Sequence, residues 1–230
     1  MFKRKLTISD FFLIVVNLVP LYGVWFEGWD AKQVFIVYCL ETVIMGIINV
    51  VKMACIKIFG DKQAMEKDNT AGNIKGGWFI IIFFIFHYGF FVFVQTQIFF
   101  AVSGLKPVGS LMMNYSNIPA LLDDNGKLLL LIFIAYYTTQ SIFGFFTSGD
   151  YKTASISTQM FEPYVRIFVQ QLVVILGSMF LTFGATRIFI LIFVLVKIFF
   201  ELFINAKGLI AMAEKKALDE KEKRKKKSPQ

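Results

Sequence analysis

Six long apolar runs follow one another along the chain, and short polar segments separate them. The runs cover residues 6–26, 31–58, 78–102, 127–146, 163–183 and 187–210. Each has about 20 residues or more, enough for a helix rising 1.5 Å per residue to cross a hydrocarbon layer of about 30 Å. Because the runs are apolar on all sides rather than along one stripe, they are typical of membrane spans. The pattern predicts an all-α, polytopic transmembrane bundle of six helices within residues 1–210.

Composition strengthens the membrane interpretation. The chain is 57% hydrophobic and 17% aromatic, contains 28 Phe, and has a mean hydropathy of +0.64. Its two cysteines, Cys39 and Cys55, stand 16 residues apart in the same run, so they form neither a disulfide framework nor a CxxC site. The starting residues MFKRKL resemble a signal-peptide n-region, but no small-residue cleavage pattern follows. We therefore expect the first run to be a retained helix.

The positive charges are distributed unevenly between the two sides of the predicted bundle. With the N-terminus inside, 17 of the 24 Lys and Arg residues fall in inner segments, four in outer segments and three within runs. Lys and Arg are enriched in cytoplasmic loops of membrane proteins. The distribution predicts that both termini are cytoplasmic and that the protein is a multi-pass protein of the cell membrane.

The last segment, residues 211–230, is a basic tail that ends in EKKALDEKEKRKKKSPQ. Its charge and low apolar content predict a disordered cytoplasmic segment. It is either a plain topological anchor or a contact for anionic lipid, worth about 1 kcal/mol per basic residue near the surface. No aromatic residues alternate with the basic ones and no nucleic-acid motif is present, so nucleic-acid binding is not expected.

Polar residues interrupt the apolar runs at depths where they are costly. In the second run, Glu41, Met45, Asn49 and Lys52 fall within one helical stripe of about 80°. Lys52 is close enough to the inner end to extend its ammonium to the interface. Glu41, about 12 Å from the outer end, is not. The stripe is therefore predicted to face protein rather than lipid.

The same depth calculation places polar groups of other runs near the middle of the membrane. A charge at that depth costs several kcal/mol unless it is paired or hydrated, so such residues usually face a bundle interior or a cavity. Lys197 has two candidate partners: Glu201, four residues away on the same helix, and Glu41 in the second run. The candidate binding residues are Glu41, Asn49, His87, Tyr137, Gln140, Gln171, Lys197 and Glu201.

Several short stretches carry a resemblance to a known family. They are ETVIMGIINVVKM at residues 41–53, HYGFF at 87–91, SGDYKTAS at 148–155, EPYVRI at 162–167, and the four-residue spacing of Lys197 and Glu201. In this order they resemble a family of bacterial six-helix membrane proteins known only as a domain of unknown function. The resemblance implies a bacterial inner-membrane location and carries no activity.

The resemblance also bears on metal binding. The family pattern implies histidines at the positions occupied here by Gln95, Tyr137, Gln171 and Asn205, and Asn in place of Thr42. His87 is the only histidine in this chain. One imidazole cannot form a bis-histidine site, and Tyr and Gln are poor substitutes. We therefore expect no metal and no cofactor.

Three function classes remain open. A polar layer at mid-membrane depth is typical of transport sites, which favours movement of a small solute or ion. The second class is a membrane-embedded enzyme, or a former metal or haem protein that has lost histidines. Glu41, His87 and Lys197 would be the acid/base set of such an enzyme, although no GxSG-type serine and no HExxH motif is present. In a structural or accessory subunit, the same polar groups would only hold helices together, at about 0.6 kcal/mol each.

Overall fold

The computed structural model describes residues 7–61, 77–103, 118–164, 167–168 and 186–203, and every regular element in these ranges is helical. The predicted all-α class is therefore confirmed. Most of the predicted fifth run and the whole tail lie outside the described residues. The helices are α1 Ile8–Phe26, α2 Ala31–Phe59, α3 Gly77–Ser103, α4 Asp124–Tyr137, α5 Gly144–Thr147, α6 Asp150–Thr153, α7 Ile156–Phe161 and α8 Thr186–Phe203, with a 3₁₀ turn at Ile118–Leu121 and a π-helical segment at Thr138–Phe143.

Polar side chains begin several of these helices. At α1, the Thr7 hydroxyl accepts from the Asp10 amide and the Asp10 carboxylate accepts from the Thr7 amide, which is a capping box. Asp30 caps α2, and Asp123 caps α4 by accepting from the Gly126 amide at 2.7 Å. These caps fix where the apolar helices start. They therefore also fix which residues of neighbouring helices lie at the same level of the bundle.

Helix α2 is the centre of the bundle. It packs against α3, α4, α6, α7 and α8, while α1 packs mainly against α8. One core forms where Tyr38 of α2 meets Phe133 of α4 and Phe193 of α8. A second core surrounds Phe84 and Tyr88 of α3. Residues along the whole length of α2 are consequently buried.

The contact between α2 and α3 depends on a glycine. A Cβ atom on Gly46 would lie 2.5 Å from Cε1 of Tyr88, which is closer than van der Waals contact allows. The Tyr88 hydroxyl donates to the Thr42 carbonyl of α2 at 2.9 Å. The missing side chain thus lets the tyrosine ring lie against the backbone of α2.

The distribution of polar and apolar side chains is compatible with a membrane protein. Three described segments are long and apolar enough to cross a membrane, namely Ala31–Phe59, Gly77–Ile98 and Asp124–Thr147, and α1 adds a shorter apolar helix. Phe26 and Phe86 are 74% and 75% exposed, whereas Glu41 and Lys197 are 4% and 8% exposed. Exposed rings and buried charges are favourable where the surroundings are lipid. The number of spans and their orientation stay predictions.

Candidate functional site

Three helices bring their buried stripes together at one point in the bundle. On α4, Leu129, Phe133 and Tyr137 repeat every four residues and are all buried. This spacing places them on one face, which is turned towards α2. On α8 the buried face contains Phe193 and Lys197. The polar ends of Tyr137 and Lys197 therefore enter the same space as Glu41 of α2.

The Lys197 ammonium is the centre of this cluster. Its Nζ donates to Oε2 and Oε1 of Glu41 at 2.6 and 2.8 Å and to Oδ1 of Asn17 at 2.8 Å. Oε1 of Glu201 is 3.9 Å away. Of the two predicted partners, Glu41 is thus the close one and Glu201 the more distant one. An ammonium has three donor positions, and three short contacts to oxygen satisfy them.

Aromatic rings complete the surroundings of the ammonium. Nζ lies 4.7 Å from the ring centre of Tyr38, 4.9 Å from that of Phe133 and 6.0 Å from that of Tyr137. These distances fall within the range of about 6 Å in which a cation is attracted to the face of a ring. The Tyr137 hydroxyl also donates to Oε1 of Glu41 at 2.6 Å. One carboxylate, one amide and three rings therefore enclose the positive charge.

Asn17 of α1 belongs to this cluster although sequence reasoning missed it. Its Nδ2 donates to the Leu13 carbonyl at 2.9 Å and to Oε2 of Glu201 at 3.3 Å, while its Oδ1 accepts from Lys197. The residue is fully buried. A signal existed, because Asn17 is an amide about 17 Å into the first run. By bridging Lys197 and Glu201, it connects α1 to α8.

A second polar cluster lies two turns further along α2. Gln159 of α7 donates through Nε2 to Oδ1 of Asn49 at 2.7 Å and also to Oε2 of Glu162. Nζ of Lys52 is 3.7 Å from the same Glu162 oxygen and 5.4 Å from the ring centre of Phe145. Sequence reasoning missed Gln159 and Glu162, because their segment lies between runs and carries no depth signal. Asn49 thus belongs to this cluster rather than to that of Glu41.

A cavity of about 360 Å³ borders the second cluster. Its walls come from the segment that connects the fourth and fifth predicted runs, and all but one of the lining residues are polar. The lining residues are Asp150, Thr153, Ala154, Ser155, Thr158, Gln159 and Glu162. The cavity is therefore on the predicted inner side of the bundle.

The other predicted site residues lie elsewhere. His87 of α3 is exposed, and its Nδ1 is 2.7 Å from the Tyr164 hydroxyl oxygen. Gln140 is exposed within the π-helical segment. Gln171 lies outside the described residues. The structure therefore brings Glu41, Tyr137, Lys197 and Glu201 together, while Asn49, His87 and Gln140 stand apart from them.

Gln95 of α3 is a further buried polar residue. It is 1% exposed, and within the described part of the chain neither its amide oxygen nor its amide nitrogen has a hydrogen-bond partner. Among the described residues, no group of three or more His, Cys, Asp or Glu side chains is arranged to hold a metal ion.

Comparison with known proteins gives a family and nothing finer. No curated protein and no solved structure matches the chain. The model of one protein family matches all of residues 1–230, and that family is described as being of unknown function. The chain therefore belongs to the family of unknown function DUF6498.

Proposed function

We propose that this protein is a multi-pass protein of the cell membrane that moves a small solute or ion, most simply a cation, through its helix bundle. In this proposal the bundle has six spans with both termini cytoplasmic, and the basic tail lies beside anionic lipid. Glu41 is the carboxylate that binds the transported cation. Lys197 pairs with Glu41 while no transported cation is bound.

The observation that carries the proposal is the buried Glu41–Lys197 pair. Glu41 lies about one third of the way along α2 and Lys197 about two thirds of the way along α8, and their side chains are only 5% and 10% exposed. Burying two charges is expensive, and a well-packed apolar pair of the same volume is often as stable or more so. Neutral polar contacts are sufficient to hold the helices of a bundle together. A retained charge pair is instead suited to binding and releasing a charged solute.

The second polar cluster supports a route to this pair. Asn49 and Lys52 share a stripe of α2 with Glu41, and Asn49 is about 12 Å from it along the helix axis. On the other side, Gln159 and Glu162 connect this stripe to the cavity of about 360 Å³. Polar groups thus extend from the predicted inner surface towards the centre of the bundle.

The two alternatives receive less support from the geometry. An acid/base site would need His87 beside Glu41 and Lys197, whereas His87 is exposed and contacts Tyr164. A purely structural role is consistent with the saturated hydrogen bonds of the ammonium. A measurement of cation flux distinguishes a structural role from transport, because only transport requires flux.

The test is ion flux through purified protein in liposomes. Protons, potassium and n-propylammonium are the probes. The first two are followed by entrapped fluorescent dyes under an imposed gradient, and the third by uptake of radiolabelled amine. The variant Glu41→Gln/Lys197→Met removes both charges, so it keeps the fold without leaving one charge unpaired. We expect wild type and the exposed-site control Lys127→Met to dissipate at least one gradient several-fold faster than this double variant. Equal rates in wild type and in the double variant for all three cations would contradict the proposal and leave the structural role.

A further inference from the structure

The surroundings of the Lys197 ammonium have the composition of a ligand-binding site. Two carboxylate oxygens of Glu41 and Oδ1 of Asn17 accept its three N–H groups at 2.6 to 2.8 Å. Tyr38 and Phe133 present their rings within 5 Å of the same nitrogen. The Tyr137 ring centre is 6.0 Å from Nζ, and its hydroxyl donates to Oε1 of Glu41. We call Asn17, Glu41, Tyr38, Phe133 and Tyr137 the ammonium cage.

We propose that the ammonium cage is a binding site for a primary alkylammonium ion, and that Lys197 fills it as a tethered stand-in when no ligand is present. The inference rests on the proposed transport function, for which it names the class of cation. The ligand would place its nitrogen where Nζ now lies. Its alkyl chain would run among the rings.

The chemistry of the cage selects this class against other cations. A quaternary ammonium is attracted to aromatic faces but has no N–H group to satisfy three acceptors. A guanidinium is planar and presents its donors in a rigid fork, which suits a bidentate carboxylate rather than three convergent oxygens. Alkali and alkaline-earth ions prefer a shell of oxygens, and here rings take part of that shell. A primary ammonium uses both the oxygens and the rings.

Lys197 has a second acceptor to which it can move. Oε1 of Glu201 is 3.9 Å from Nζ and lies one turn further along the same helix. A small rotation of the flexible lysine stem exchanges Glu41 for Glu201, so the lysine need not remain unpaired in the bundle. Asn17 already contacts both groups, since its Nδ2 donates to Glu201 and its Oδ1 accepts from Lys197. An incoming ammonium would then take Glu41.

The experiment replaces the tethered group by a free one. Lys197→Ala removes the atoms from Cγ to Nζ, which is the skeleton of n-propylammonium. We expect millimolar n-propylammonium to raise the thermal unfolding midpoint of purified Lys197→Ala by several degrees, because a ligand that binds only the folded state stabilises it. The matched alcohol n-propanol and tetramethylammonium should have no such effect. Adding Glu41→Gln to Lys197→Ala should abolish the shift.

A second measurement keeps the test decisive if Lys197→Ala gives little folded protein. Extraction and purification in n-propylammonium should then restore its monodisperse yield several-fold, and n-propanol should not. We also expect n-propylammonium to raise the unfolding midpoint of wild type, in which Lys197 moves to Glu201. This rise should be smaller in Glu201→Gln, because that variant lacks the alternative acceptor of Lys197. Absence of any amine-specific effect in Lys197→Ala, on midpoint or on yield, would overturn the ammonium site. Rescue of Lys197→Ala, with no faster flux of protons, potassium or n-propylammonium in wild type than in Glu41→Gln/Lys197→Met, would support the site and contradict transport. Faster flux in wild type without rescue of Lys197→Ala would support transport and overturn the ammonium site.

Discussion

At the scale of single residues, Glu41 is a buried carboxylate with three hydrogen bonds from two other helices. It accepts hydrogen bonds from Lys197 through both oxygens and from the Tyr137 hydroxyl through Oε1. Hydrogen bonds to an ionised group are short and about twice as strong as neutral ones. These contacts compensate for the loss of water around a carboxylate that is 4% exposed.

Tyr137→Phe isolates one of these contacts. The substitution removes the 2.6 Å hydrogen bond to Glu41 and retains the ring and its packing. We expect a loss of about 1.5–3 kcal/mol in the free energy of unfolding, the usual contribution of a hydrogen bond to a charged group. Denaturant titration in detergent micelles measures it. Tyr22→Phe is the matched control, since Tyr22 is exposed and its hydroxyl reaches exposed Glu27 at 3.2 Å; equal losses in both variants would contradict the assignment.

Depth arithmetic was enough to single out Glu41, Lys197 and Glu201, because a charge deep in an apolar run must meet another polar group. It could not choose between the two carboxylates. A partner four residues away on one helix is visible in the sequence, whereas a partner 156 residues away depends on how the helices pack. The same limit applies to His87, which is on the same helix as the buried Gln95 but on an exposed face.

At the scale of helices, the α2–α3 contact rests on shape rather than charge. Gly46 provides the gap into which Tyr88 packs, and the Tyr88 hydroxyl reaches the Thr42 carbonyl. Both residues lie in stretches that carry the family resemblance. Their pairing is a packing feature that no sequence pattern in either helix reveals.

Gly46→Ala tests this contact against Gly89→Ala on α3. In an open helical position, replacing Gly by Ala is favourable by about 1 kcal/mol, and a Cβ on Gly89 meets nothing within 4 Å. At Gly46 the new methyl group would lie 2.5 Å from the buried Tyr88 ring, so we expect a net destabilisation of about 1–3 kcal/mol. The unfolding midpoint in detergent measures both. If Gly46→Ala is as stable as Gly89→Ala, the close approach is not a constraint.

The all-α class was predictable, because a long run that is apolar on all sides can cross a membrane only as a helix. The π-helical segment at Thr138–Phe143 was not. It interrupts the fourth apolar run at TTQSIF, a stretch that contains no Gly or Pro although Gly144 follows it directly. Such a register shift depends on the packing of neighbouring helices rather than on the helix propensity of the local residues.

At the scale of the whole molecule, the described bundle buries the Glu41–Lys197 pair and exposes apolar rings such as those of Phe26 and Phe86. The ammonium cage draws on α1, α2 and α4, and its occupant comes from α8, so residues from both ends of the described chain meet at one nitrogen. Forming it requires the helices to be packed together, since no local segment contains more than two of its members. The Glu41–Lys197 pair therefore reports on the assembly of the bundle as well as on the site.

The measurement that tests this account most directly is a comparison of three variants at Lys197 by folded yield and unfolding midpoint. Lys197→Met leaves Glu41 buried without its ammonium and should cost about 3–5 kcal/mol. Lys197→Met/Glu41→Gln should recover most of that loss, while Lys197→Met/Glu201→Gln should not, because Glu201 is the more distant carboxylate at 3.9 Å. Lys127→Met, which breaks an exposed pair, should change stability by less than about 1 kcal/mol. If Lys197→Met is as stable as wild type, or if only the Glu201 double variant recovers, then Glu41 and Lys197 are not a buried pair and the account is contradicted.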